Sequence, residues 1–199
     1  MPNNIHKISH HTNIQDRIRT YGHQPSVFWL TGHSGAGKST LAMLAEKALL
    51  DMGYACFVLD GDNIRHGVNK DLGFSAEDRL ENIRRVAEIA TLFSNAGLIC
   101  IAAFISPLKS DRYLARSIIE NTAQFHEIHI DSSIEVCESR DVKGIYKLAR
   151  EGAIKDFTGI SSPYEAPEDC ALRINTATDP IEIAKEQLVD YIMAQCPLI

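Results

Sequence analysis

One stretch constrains this chain more than any other. Gly32-His33-Ser34-Gly35-Ala36-Gly37-Lys38-Ser39 fits G-x-x-x-x-G-K-[ST], follows the apolar run Ser26–Thr31 (SVFWLT) and opens a segment with helical periodicity. Strand, glycine-rich loop and helix in that order make a cradle for a polyphosphate. The glycines let successive backbone N–H groups turn inward around the anion, where a Cβ would collide or the torsions would be forbidden. The helix N-terminus adds partial positive charge. Lys38 sets a cation between the β- and γ-phosphates, and Ser39 offers its hydroxyl to Mg²⁺. A nucleoside triphosphate and Mg²⁺ are therefore the expected ligands of this loop.

The rest of the chain repeats the strand–helix alternation. Tyr54–Leu59, Leu98–Ile105, His126–Ile130 and Leu172–Asn175 read as short buried strands. Between them, Leu41, Leu44, Ala45, Ala48, Leu49 and Met52 mark one helix face ending at Gly53. A second helix starts at a Ser75 cap with Asp78 three residues on, turns Ile83, Val86, Ala90 and Phe93 inward, and ends near Gly97. A last helix is announced by the Asp179 cap, first-turn Pro180 and Glu182, with Ile181, Ala184, Leu188 and Ile192 as its buried stripe. The expected fold is α/β: a P-loop NTPase-type three-layer sandwich, with a parallel sheet of about five strands, helices on both faces and a mobile lid. Residues 1–24 read as a loosely held N-terminal arm with a short helix around Ile14–Arg19, and residues 25–199 as one P-loop domain.

Composition removes several function classes. A net charge of −6 disfavours a general nucleic-acid binder, which needs a basic field, yet permits a local basic pocket for a small anion. The longest apolar run, Leu98 to Ile105, is eight residues, against about 20 needed to span a bilayer. No membrane association is expected, and the polar, His-rich start does not read as a signal segment. Five widely spaced cysteines without a CxxC imply neither disulfide framework nor zinc site, which points to a reducing, cytoplasmic setting. His126 and His129 are three apart on a predicted strand and face opposite sides, so they do not share a metal. His66 reads equally as a substrate contact or a packing residue, and Trp29 as core.

A P-loop alone does not choose a reaction. A GTPase needs a late base-reading N-K-x-D; Asn69-Lys70-Asp71 has the wrong spacing and comes too early. The segment after the second strand says more. Leu59-Asp60-Gly61-Asp62-Asn63-Ile64-Arg65 places two carboxylates at the carboxyl edge of a parallel strand, where such sheets bind ligands. One could orient or deprotonate an attacking hydroxyl and the other hold Mg²⁺ through water, a reading favoured over two helix-capping acids. Arg79 and Asn82 share a helix face that borders the apolar stripe, and with Phe74 they suit an anionic ligand with a flat ring. Arg84 and Arg85 cannot both face that ligand.

The stretch LDGDNIRHGVNKDLGFSAEDRLENIRRVAEIA, then FISP, then DVKGIYKLAREGAIKDFTGISSPYEAPE, resembles the adenylylsulfate (APS) kinase family from about Ser26 to Glu168. The resemblance implies a stand-alone enzyme of sulfate assimilation that phosphorylates the ribose 3′-hydroxyl of APS with MgATP to give PAPS and ADP. It implies that Gly32, His33, Ser34, Gly35, Ala36, Gly37, Lys38, Ser39 and Thr40 hold ATP and that Arg140 lies against its adenine. Asp62, supported by Asp60, would serve the 3′-hydroxyl and the metal, Asp60 through water. Asp62, Asn63, Ile64, Arg65, Phe74, Arg79, Asn82, Ile105, Ser106, Lys143 and Phe157 would surround APS. Lys38, Asp60, Asp62 and Ser106 would be the catalytic set, and a homodimer the assembly. His33 stands where the family commonly has leucine.

Ser106 carries two readings: a phosphoryl-enzyme intermediate, making the chain transiently a phosphoprotein, or a substrate contact in direct in-line transfer, which needs no covalent step. Direct transfer is favoured. Residues 140–155 hold Arg140, Lys143, Lys147, Arg150 and Lys155 against Asp141 and Glu151. That basic run suits a lid, about residues 140–160, closing over phosphates on a hinge at Phe157-Thr158-Gly159, or else a solvated helix. Two other functions compete: a P-loop kinase for another small hydroxyl acceptor, and a nucleotide-binding regulatory module without turnover. Phe74, Arg79 and Asn82 favour a nucleotide acceptor.

Overall fold

Strand β1 (Val27–Thr31) is buried along its whole length and organises the molecule. The computed structural model describes residues 6, 8, 10–141 and 143–199 of the chain. With β2 (Cys56–Asp60), β3 (Ile99–Ala103), β4 (Phe125–Asp131) and β5 (Leu172–Asn175) it forms one sheet in the order β2-β3-β1-β4-β5. Every pairing is parallel, with Val27 opposite both Cys100 and Phe125.

Alternation along β1 divides the core. Phe28 and Leu30 face α2 (Lys38–Asp51) and α8 (Ile181–Gln195), meeting Ala42, Ala45, Leu49, Leu188 and Ile192. Val27 and Trp29 face the other way, against α4 (Ala76–Asn95) and α5 (Lys109–Ile119), meeting Ile83, Val86, Ala90, Ala115 and Ile119. Both faces of the sheet are therefore covered, which is why its strands read as continuous apolar runs. Truncating Leu30, fully buried between layers, to alanine costs about 2–5 kcal/mol. Three short helices complete the domain: α3 (Gly61–His66), α6 (Ile134–Arg140) and α7 (Ile145–Arg150).

Because β1 lies between β3 and β4, the chain leaves it first toward one edge and later toward the other. The carboxyl ends of β1, β2 and β3 then open on a common crevice, the usual ligand position in such sheets. Helix α4 forms where expected: Ser75 Oγ accepts from the Asp78 N–H at 3.1 Å, and Glu77 and Asp78 complement the helix N-terminus.

Four local expectations differ. Met52 is the C-cap of α2 and is exposed, so the buried stripe runs through Leu41, Ala42, Ala45 and Leu49 instead. Ile181, the first residue of α8, is exposed, and the buried stripe begins at Ala184. Asp179 does not cap α8; its carboxylate accepts from Thr178 Oγ1 and Gln187 Nε2, and Pro180 occupies the cap position. The N-terminal segment is not loose throughout. Helix α1 (Ile14–Tyr21) has a complete capping box between Asn13 and Asp16, buries Ile18, and lays Arg17 and Tyr21 against Gly97. His23 is fully buried, accepting from the Ala55 N–H at 3.0 Å, and Gly22 O accepts from the Ile199 N–H at 2.8 Å. Chain ends that pair with the body are held by it.

Candidate active site

The loop after β1 is fixed by contacts that only glycine permits. A Cβ on Gly32 would lie 2.4 Å from the Ile130 carbonyl oxygen, and Gly35 adopts φ +75° with Cys137 O close by. Lys38, the first residue of α2, is buried and donates from Nζ to Gly32 O at 2.8 Å and His33 O at 2.7 Å. Burial pushes its pKa down from 10.5 to about 8, an effect opposed by the nearby carboxylates of Asp60 and Asp62. Its partners are the loop's own carbonyls, positions from which a phosphate readily attracts it.

The loop forms one end of a cavity of about 530 Å³ that runs past β2 and β3 to α4 and the segment after α6. Ser34, Gly35, Gly37, Lys38, Ser39 and Thr40 line that end. At the centre stand the two carboxylates, in unlike settings. Asp60 is 6% exposed and caps α3, accepting from the N–H groups of Asp62 at 3.1 Å and Asn63 at 3.4 Å through Oδ1. The Asp62 side chain is 65% exposed and pairs across the cavity with Lys143. One carboxylate is held by backbone; the other is open to an incoming group.

The far end joins several segments. Arg79 and Asn82 do share a face of α4 and both line the cavity, as do Asn63, Arg65, Phe74, Ile105, Ser106 and Lys143. Arg79 donates to Phe74 O at 2.9 Å, Thr158 Oγ1 at 3.1 Å and Asp156 O, so α4 grips the chain beyond α7. The Arg65 guanidinium lies 4.4 Å from the centre of the Phe74 ring. Asn82 is 5% exposed and its Oδ1 accepts from Asn69 Nδ2 at 2.9 Å. Asn69, whose sequence neighbours only mimic a base-reading motif, thus steadies a cavity residue. Ser106 takes φ +39°, rare for a side-chain-bearing residue, and its Oγ accepts from Trp29 Nε1 at 3.1 Å.

Six expected residues lie off the cavity wall. Gly32 and Ala36 shape the loop from behind, and the His33 ring packs 4.4 Å from that of Tyr164. Ile64 packs with the core beneath α3. Arg140 turns to Thr176 O and Gly35 O, behind the loop. Phe157 is buried edge-on against Tyr146. The basic run also needs correction: Arg150 pairs with Glu138, and of its five cations only Lys143 lines the cavity. Arg84 and Arg85 both turn away, to Glu81, Glu88 and Asp71. His66 is exposed and off the wall.

Sequence reading missed Asp111, Asp141, Met43 and Tyr146 on the wall. Tyr146 donates to Ser34 O at 2.8 Å, and burial holds the Asp111 carboxyl above its ordinary pKa. Only Asp111 left a signal, an acid three residues beyond Leu108 at the start of a helix. The wall then carries Lys38, Arg65, Arg79 and Lys143 against Asp60, Asp62, Asp111 and Asp141. Such a balanced wall suits polyanions accompanied by a divalent cation. Ser39 Oγ and the Asp60 carboxylate supply the hard oxygens Mg²⁺ prefers, few in number so that water and phosphate complete its shell. Among the described residues no cluster of three or more His, Cys, Asp or Glu forms a metal cage, and all five cysteines are free thiols. Among the described residues, no helix is long and apolar enough to cross a membrane.

Fold and site together define a P-loop phosphotransferase: a nucleotide cradle at one end, a polar acceptor wall at the other, and a carboxylate between them. The adenylylsulphate kinase family profile matches residues 24–175, and the chain belongs to that family. It is similar to the adenylyl-sulfate kinase of Acaryochloris marina, 52% identical over 89% of this chain and 86% of that one, and to that of Bacillus licheniformis, 54% identical over 87% of each. In structure it is similar to the Mycobacterium tuberculosis APS kinase solved with AMPPNP and APS (TM-score 0.83, 44% identity, 85% of this chain and 98% of that one).

Proposed function

We propose that this chain transfers the γ-phosphoryl group of ATP to the ribose 3′-hydroxyl of adenylylsulfate, releasing ADP and PAPS. The observation that carries the reading is the single cavity with Lys38 at one end, Arg79, Asn82 and Phe74 at the other, and Asp62 between. Family membership supports it, and the related Mycobacterium enzyme binds an ATP analogue and APS together.

In the proposed reaction the P-loop amides and Lys38 hold the β- and γ-phosphates, and Arg79, Asn82 and the Arg65–Phe74 pair hold the acceptor nucleotide. Asp62 accepts the 3′-hydroxyl proton as that oxygen bonds to the γ-phosphorus and the bond to the β-bridging oxygen breaks. Mg²⁺, held by Ser39 and through water by Asp60, would neutralise charge on the phosphates. Ser106 acts as a donor rather than a nucleophile. Trp29 occupies one lone pair of its Oγ, and no carboxylate or imidazole among the described residues hydrogen-bonds that hydroxyl as a base.

Residues 140–160 act as the lid: Lys143 exchanges Asp62 for phosphate oxygens as ligands enter, and closure excludes water. A cytoplasmic homodimer completes the proposal, and sedimentation velocity reads the assembly. The test of activity is ADP release with and without APS, repeated with Asp62→Ala. APS-dependent release by the native chain that collapses in the variant is expected; equal rates in all three samples would refute the reading.

A further inference from the structure

Ser106 is held in an unfavourable backbone conformation by a buried network behind the cavity. Its φ of +39° belongs to the left-handed region, and a non-glycine residue stays there only where its surroundings over-determine it. Three successive carbonyls are gripped. Thr31 Oγ1 donates to Ile105 O at 2.7 Å and Ser106 O at 3.3 Å. Arg112 Nη1 donates to Ser106 O at 3.0 Å and Pro107 O at 3.3 Å. Arg112 is 3% exposed, and its Nε donates to Glu127 Oε1 on β4 at 2.6 Å. Glu127 is also approached by Arg116 Nη2 at 3.7 Å. Neither Arg112 nor Glu127 lines the cavity.

A buried ion pair is a costly way to stabilise a fold, since desolvation offsets most of the attraction and an apolar pair of similar size often serves as well. Here the guanidinium does something an apolar side chain cannot. One edge is fixed by Glu127, which leaves Nη1 aimed at the carbonyls that set the Ser106 backbone. With those carbonyls turned onto Arg112 and Thr31, and Oγ accepting from Trp29, the Ser106 hydroxyl hydrogen is left to donate toward the cavity.

We propose that Glu127 and Arg112 are positioning residues for the acceptor site, holding Ser106 so that its hydroxyl donates to an anionic oxygen of APS. The inference rests on the proposed reaction, because it assigns the occupant of the cavity beside Ser106. Neither residue touches substrate; both act through Ser106.

The decisive variant is Arg112→Met with Glu127→Leu, which removes both charges of the pair together, while Arg116 keeps Glu120 as its partner. The fold is expected to survive, as read by an unchanged far-UV spectrum and cooperative melting. KM for APS rises about tenfold, roughly the loss of one hydrogen bond to a charged group, while KM for ATP stays within twofold. Thr31→Val, which removes the other donor to Ser106 O, is the second variant should the pair fail to fold, with a smaller rise in the same constant. Ser106→Gly supplies the control a merely structural role would not satisfy. Glycine adopts this φ without help, so in that background the paired substitution adds no further rise in KM for APS. Unchanged KM for APS in a folded variant, equal rises for both substrates, or an undiminished effect in the Ser106→Gly background would each overturn the proposal. APS-dependent turnover by the native chain, measured alongside, separates those outcomes from failure of the proposed reaction itself.

Discussion

The two ends of the cavity are built in opposite ways. At the nucleotide end one continuous segment, β1 through the loop into α2, supplies nearly everything, and Lys38 reaches a carbonyl only six residues back. At the acceptor end, Arg79 meets Thr158 across 79 residues of chain and Lys143 meets Asp62 across 81. The first end is pre-shaped around the buried Lys38. The second is open, with Phe74 64% exposed and the Asp62–Lys143 pair facing solvent. The residues lining the cradle come from one segment that the body braces from behind through Ile130, Cys137 and Tyr146, whereas the acceptor wall is itself assembled from many segments.

Substitutions break this contrast in graded ways. Lys38→Met strikes the rigid end and should lower kcat about 10³-fold, the scale for removing a charge that stabilises a transferring phosphoryl group. Both APS-dependent turnover and slow ATP hydrolysis, measured as ADP release, should fall together. Asp62→Asn keeps the shape of the side chain at the centre of the cavity but removes the base; kcat should drop about 10²-fold with little change in either KM, read from steady-state kinetics. Arg79→Ala belongs to the open end alone. KM for APS should rise about 10- to 100-fold while nucleotide affinity, measured by calorimetry, is kept.

A fourth measurement tests the buried state of the rigid end. Folding lowers the Lys38 pKa from 10.5 to about 8, so between these values the unfolded chain binds more protons than the empty folded protein. Stability should therefore rise with pH through that window on account of this group. Nucleotide binding has the reverse sign, since phosphate favours the ammonium. At about pH 9, calorimetry in buffers of different ionisation enthalpy should show proton uptake with AMPPNP, and Lys38→Met should abolish it. The smallest effect is expected of Lys143→Ala: an exposed pair contributes little to stability, so the melting midpoint should hold, with KM for APS rising a few-fold.

The same contrast governs how much of the protein is legible in its sequence. The nucleotide end is legible because its chemistry lies within one loop, where each glycine and Lys38 has a geometric reason to be where it is. All five strands are legible from their apolar runs, with ends displaced by at most two residues. Charge along the chain is a poorer guide. The basic run at 140–155 suggests a concentration of cations over the phosphates, yet Arg140 and Arg150 are consumed by Thr176 O and Glu138. Helical direction, not charge count, decides which cation faces a cavity. Trp29 illustrates the same limit: its apolar body places it in the core, while its Nε1 reaches the hydroxyl of a residue 77 positions away.

The order of amino acids is thus enough to specify the phosphate cradle, the parallel α/β layering and the family, because short-range spacing and strand–helix alternation are local properties of the chain. Folding in three dimensions settles which of the expected residues share a wall, and brings Asp111, Tyr146 and Asn69 into the site. It also leaves Ser106 strained and held from behind by Arg112 and Glu127. Those relations join side chains from separate strands and helices. They come into being only when hydrophobic burial of the sheet faces sets the strand order, and with it which ends of the chain meet.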